Sequence, residues 1–137
     1  MGRHLAFMAV IAVTTAGVMI PAAAAEVDYP DAFEVCTSCH VYHANEPPQE
    51  GPPLWGVFGR KVASVEGFTY STALQEFGAK ADRWDAATLD KFLTNPRVLV
   101  PGTRMSLGGV RNPPDRAEVI NFLQTLTDVK PVGGGGN

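Results

Sequence analysis

Cysteine is scarce in this chain. Of 137 residues only Cys36 and Cys39 are cysteines, and they stand three positions apart. A pair so close closes no long loop, so disulfides do not staple the fold. Histidine is scarce too, at three residues. A structural zinc site would need two further ligands, and only His43 is near, with no other cysteine in the chain. A redox-active C-x-x-C normally sits in a βαβ context, and no alternating strand pattern surrounds this one. Runs of lysine or arginine are missing, and 14 acidic residues outnumber 11 basic ones. That balance argues against a nucleic-acid partner. No internal repeat is present, and nothing after residue 25 is apolar for long enough to span a bilayer.

What is present begins with a sorting signal. Arg3 and His4 precede a mostly apolar run from Leu5 to Ile20, and Ala23, Ala24 and Ala25 form a small-residue site before Glu26. This order reads as a secretory signal peptide over residues 1–25, cleaved after Ala25. The alternative is an uncleaved membrane anchor, although the run is short for a span of about 20 residues. Cleavage would leave a domain over 26–130 and a glycine-rich tail over 131–137, expected to be disordered. Without Arg3 the formal charge moves from −3 to −4. Export places the domain in an oxidising compartment, the periplasm of a bacterium.

The remaining pattern is helical and loop-rich. Residues 27–39 suggest a short helix with Phe33, Val35 and Cys36 among its apolar members. Residues 43–53 hold four prolines and a glycine and must be a loop. A short helix is expected over 71–77. Asp85 can cap another over 86–94 with Leu89, Phe92 and Leu93 on one face. Pro96 should end it, leaving an extended loop over 96–112. Asn112 can cap the last helix with Pro113 at its first position, and Val119, Phe122, Leu123 and Leu126 share its buried face. So little helix makes a thin core for such a domain. A central prosthetic group would complete it.

Cys36-Thr37-Ser38-Cys39-His40 names that group. Two thiols at i and i+3 on one helical turn can add to the two vinyl groups of one haem, and the histidine that follows can ligate its iron. C-x-x-C-H is therefore read as covalent attachment of one haem c, with His40 as an axial ligand. Export agrees, because c-type haem is attached outside the cytoplasm. His43, in the proline-rich loop, reads as a surface residue. The second axial position needs His, Met or nothing. Met105 is the one methionine after the leader, and it lies in a loop rather than on an apolar helix face. A lone methionine is more often a core filler. As a ligand it would raise the reduction potential and close the iron to exogenous molecules.

The chain resembles the class I c-type cytochromes, in particular the mitochondrial-type branch and its soluble bacterial relatives. The likeness runs from about Val35 to Leu126 and is carried by CTSCH at 36–40, GPPLWGVFGRK at 51–61, GFTYS at 67–71, Trp84, TNPRVLVPGTRM at 94–105 and the last helix. It implies an all-α cytochrome c fold: short helices and long loops wrapped around one haem. It implies thioethers at Cys36 and Cys39, and axial ligands at His40 and Met105. Pro52 falls where a loop carbonyl accepts a hydrogen bond from the proximal histidine. Arg60, Tyr70, Trp84 and Thr103 fall where the haem propionates are held. Such carboxylates, partly buried, need charged, hydroxyl or indole donors.

Some positions depart from the pattern. Ala32 stands where an aromatic is usual, with Phe33 next to it, so the first helix should pack differently on the last. The segment between Tyr70 and Trp84 is about three residues longer by motif spacing. Phe92 replaces a tyrosine and Leu74 a polar residue, which should dry the methionine side. The four lysines, Lys61, Lys80, Lys91 and Lys130, are too few to ring the haem edge. Steering toward a strongly acidic partner should then be weak, with Arg104, beside Met105, read as a local docking contact.

The resemblance implies a monomeric, non-enzymatic carrier of single electrons, docking transiently on redox proteins such as a membrane complex, a dehydrogenase, an oxidase or a reductase. Two other readings remain at this point: a haem enzyme or gas sensor with an open or labile sixth position, and a fixed electron-transfer subunit of a larger complex.

Overall fold

The computed structural model describes residues 27–127. The leader over 1–25 and the tail over 131–137 lie outside the described residues. Five helices follow one another: α1 (Glu34–Thr37), α2 (Thr72–Ala81), α3 (Ala86–Thr94), α4 (Pro96–Leu99) and α5 (Pro113–Thr125). A 3-10 turn, Asp31–Phe33, leads into α1. Among the described residues there is no strand, only an isolated antiparallel bridge between Lys61 and Arg83. The fold is all-α, as expected.

Local chemistry explains most helix starts. Ser71 accepts from the Leu74 amide at 3.2 Å to start α2, and Asp85 accepts from the Thr88 amide at 2.7 Å to start α3. Asp85 is held below the usual carboxylate range by that bond. The start of α5 differs from expectation. Asn112 stands at the cap position, but its side chain makes no cap bond and instead donates to Asp115 Oδ1 at 2.8 Å. The first two helical residues are Pro113 and Pro114, which lack amide hydrogens, so less is left for a cap to satisfy.

Three further expectations are corrected. The N-terminal helix is much shorter than 27–39, and of its apolar members Phe33 and Cys36 are buried while Val35 is exposed. The helix expected over 71–77 runs on to Ala81, so α2 takes up the longer segment before Trp84. Pro96 does not open an extended loop. Asn95 adopts φ −163°, the extended backbone that proline demands of its predecessor, and caps a new short helix by accepting from the Val98 amide at 3.3 Å. Proline then sits at the first helical position of α4, where its missing N–H costs nothing.

The core forms where α5 crosses the 3-10 turn and α3. Val119, Phe122, Leu123 and Leu126 are all buried on one face of α5. Phe33 is completely buried and meets Phe122 edge-on at 4.6 Å, with Tyr29 and Tyr42 completing the aromatic group. The aromatic displaced by one residue thus still reaches the last helix.

Candidate haem-binding site

A cavity of about 520 Å³ lies among these elements, within the size range of cofactor pockets. All nine site residues expected from the sequence line it: Cys36, Cys39, His40, Pro52, Arg60, Tyr70, Trp84, Thr103 and Met105. The wall between them is mostly apolar, with Leu54, Val57, Leu74, Phe92 and Leu123 among its members. His43 is not part of it and stacks on Tyr42 at 4.3 Å.

Cys36, Cys39 and His40 are brought together by one turn. The amides of Cys39 and His40 both donate to the Cys36 carbonyl, at 3.2 and 3.0 Å. The two cysteines form no disulfide with each other. Burial, and secondarily the neighbouring Cys39, push the Cys36 thiol up to about 11.

His40 is held with little freedom. Its Nδ1 lies 2.7 Å from the Pro52 carbonyl oxygen. That oxygen can only accept, so Nδ1 carries the proton and Nε2 keeps the lone pair that a metal needs. Burial lowers the pKa of His40 and so favours the neutral ring, an effect partly offset by the bond to Pro52. Gly51 is buried beneath the imidazole. A Cβ there would come within 2.5 Å of Nδ1 and 2.8 Å of Nε2. Only glycine lets the loop pass so close.

The polar residues keep donors in reserve. Arg60 reaches the carbonyls of Trp55 at 3.1 Å and Pro53 at 2.7 Å. Burial lowers its pKa, and the nearby Tyr70 raises it. Tyr70 is raised by burial and accepts from the Val65 amide at 3.2 Å, so its own hydroxyl proton stays available. Thr103 accepts from the Met105 amide at 3.3 Å, again with its hydroxyl proton unspent. Trp84 is buried and packs on Phe92 at 5.0 Å.

Met105 is partly buried against the core. Phe92 and Leu74 share its cavity, so the two departures from the family pattern lie on the same lining. Arg104 donates to the Thr69 carbonyl and lies 5.9 Å over the Phe68 ring. It ties the segment of Met105 to the 67–71 loop, an intramolecular task that the sequence did not suggest.

Two contributors went unread in the sequence. Phe77 continues the aromatic row, 6.2 Å from Trp84 and 6.5 Å from Phe92. Arg116 is the one buried charged residue among those described. Phe77 is the last residue of the helix expected over 71–77, to which no buried face was assigned. An arginine next to an apolar face gives no signal that it turns inward.

This donor set fits a haem c: two thiols on one turn, an imidazole with its Nε2 lone pair unspent, a thioether, and carboxylate-binding donors around an apolar cavity. Cytochrome c2 of Rhodomicrobium vannielii is 46% identical over 93 residues, covering 68% of this chain and 72% of that protein. The chain belongs to the class I c-type cytochromes. Cytochrome c2 iso-2 of Magnetospirillum molischianum is 38% identical over 99 residues, covering 72% of this chain and 98% of its own length. Among solved structures, cytochrome cH from Methylobacterium extorquens superposes with a TM-score of 0.62 at 36% identity, covering 69% of this chain and 91% of that one. No protein-family model matches the chain. As a class I cytochrome the protein carries a covalently attached haem c and serves electron transfer. Among the described residues no helix is long and apolar enough to cross a membrane.

Proposed function

We propose that the protein is a soluble, monomeric periplasmic cytochrome that carries single electrons between redox proteins and is not an enzyme. In this reading Cys36 and Cys39 hold the haem through thioethers, and His40 and Met105 are the axial ligands. Residues 1–25 act as the export signal, and the cytochrome domain spans 26–130. The observation that carries the reading is the lining of one cavity by Cys36, Cys39, His40 and Met105 together.

When bound, the haem supplies a one-electron couple. The chain does the rest. Pro52 keeps His40 in the tautomer that leaves Nε2 to bind iron. Arg60, Tyr70, Trp84 and Thr103 would hold the propionates, offsetting the cost of partly burying two carboxylates. Leu74 and Phe92 exclude water from the methionine side. A site closed by two protein ligands suits electron transfer rather than oxygen or peroxide chemistry.

Visible spectroscopy of the ferric holoprotein tests this. A weak band at the red end of the visible, typical of iron–methionine ligation, is expected. It should vanish in Met105→Ala while haem remains covalently attached. A high-spin wild-type spectrum, with rapid binding of cyanide at neutral pH, would instead support the open-site reading. Sizing the mature protein and locating it in cell fractions check the monomer and the compartment.

A further inference from the structure

The strap after Met105, residues 106–112, returns the chain to α5, and its far end is seated on α3. The Val110 amide donates to the Leu93 carbonyl at 2.7 Å. Gly109 turns there with φ +99°, so close that a Cβ would stand 2.9 Å from the Leu93 carbonyl oxygen and nearer still to that of Thr94. Over this seat lies the guanidinium of Arg116. Its Nη1 donates to the carbonyls of Val110 at 2.9 Å and Arg111 at 3.3 Å, and its Nε donates to Asp90 Oδ1 at 2.7 Å.

One side chain thus joins three elements: α5 through its own backbone, the strap through two carbonyls, and α3 through a carboxylate. Arg116 is the buried partner, its side chain 10% exposed, while that of Asp90 is 52% exposed. A guanidinium suits this task because its planar fork presents several donors in fixed directions. Burying it unpaired would be costly, so the carboxylate and both carbonyls are needed together.

We infer that Arg116 and Asp90 form a clamp that positions the Met105 strap and sets how readily Met105 leaves the iron. The inference rests on reading Met105 as an axial ligand. The clamp touches neither Met105 nor the haem pocket, since neither Arg116 nor Asp90 lines the cavity. It acts by fixing the strap's end five residues away, at Val110. The near end depends on the weaker bond from the Met105 amide to Thr103 and on the exposed Arg104. Freed at Val110, the strap has few other ties, and opening of the methionine side becomes a smaller, more frequent fluctuation.

The test uses ferric holoprotein, wild type and three variants. Asp90→Asn removes the carboxylate from a half-exposed position and should fold. Asp90→Glu restores a carboxylate. Ile120→Val trims a buried residue of α5 outside the cavity, as a control for general destabilisation. Two quantities are read: the rate of imidazole binding at saturating imidazole, limited by departure of Met105, and hydrogen exchange of the Val110 amide relative to Val119. Asp90→Asn should raise both about tenfold, the factor equivalent to a lost charged hydrogen bond of about 1.4 kcal/mol. Asp90→Glu should restore most of each, and Ile120→Val should leave both ratios unchanged.

The clamp is overturned if Asp90→Asn lowers the thermal midpoint like Ile120→Val but moves neither quantity. It is equally overturned, as a determinant of Met105, if Val110 exchange rises while the imidazole limit stays put. A wild-type spectrum without the iron–methionine band would sink the ligand assignment instead. The Val110 exchange alone would then decide whether the clamp holds the strap.

Discussion

Between Cys36 and Leu54 the chain ties itself together over short distances. His40 bonds back to Cys36, the Gly51 amide donates to the Cys39 carbonyl at 2.8 Å, the Leu54 amide donates to the Val41 carbonyl at 2.8 Å, and the imidazole is pinned by Pro52. Between Thr103 and Asn112 the chain depends on other elements: Thr69 for Arg104, Leu93 of α3 for Val110, and Arg116 of α5, itself paired with Asp90 of α3, for the carbonyls of Val110 and Arg111. The histidine side is built by its own loop, the methionine side by other elements. Local bonds survive small openings, whereas a segment held by distant elements is released when any of them shifts. In this protein the methionine side should therefore be the first to open and the histidine side the last.

Two glycines put that asymmetry to a direct test. Gly51→Ala should have the largest effect, because its Cβ would enter the space of the His40 ring, which the bond to Pro52 keeps from turning away. We expect a loss of about 3 kcal/mol or more, or failure to mature with haem, as for severe overpacking. Denaturant unfolding and haem content measure it. Gly109→Ala should cost less, about 2 kcal/mol, because the strained φ and the contact with Thr94 can be relieved by lifting the strap. The ferric spectra should then separate the two sides. Gly109→Ala weakens the iron–methionine band with the histidine retained, while any Gly51→Ala protein that matures is perturbed at the histidine. Equal damage to the methionine band by both variants would erase the distinction.

The same asymmetry explains what was legible in the sequence. Cys36, Cys39 and His40 are adjacent, and their arrangement follows from one helical turn. The buried face of α5 follows from spacing along one helix. Asp85 signals its cap within three residues. Misreadings arose where one local rule met another. Pro96 both forbids helix before itself and favours it after, and Asn95 resolves the conflict by capping. At Asn112 two prolines removed the first two amides of the helix and left less for a cap to serve. What could not be read was held by partners distant in sequence: the inward turn of Arg116 toward Asp90, 26 residues away, and the tie from Arg104 to Thr69. Cys36, Cys39 and His40 were read from their motif and Met105 as the lone methionine, while Pro52, Arg60, Tyr70, Trp84 and Thr103 were named by resemblance; the structure brings all nine to one cavity because its loops close over distances that no local pattern encodes.

The smallest expected effect concerns acid. Asp85 caps α3, the helix that receives the strap through Leu93 and carries Asp90. Its folded pKa lies below the ordinary value of 3.8, first because the Thr88 amide donates to it. For a carboxylate lowered on folding, the stabilisation is fully present above the unfolded pKa and is lost as pH falls through the folded one. Asp85 is fully solvent-exposed, so its share is small and further reduced by salt. Below about pH 4 the cap should weaken, and with it the seat of the strap rather than the turn of His40. Asp85→Asn keeps a capping oxygen without the titration, so its thermal midpoint should match wild type near neutrality and fall less steeply with acid. Followed at the iron–methionine band, the difference between the two proteins should emerge only as pH drops through that window. If it emerges instead at neutral pH, or is absent throughout, the cap of α3 is not coupled to the methionine side by its charge.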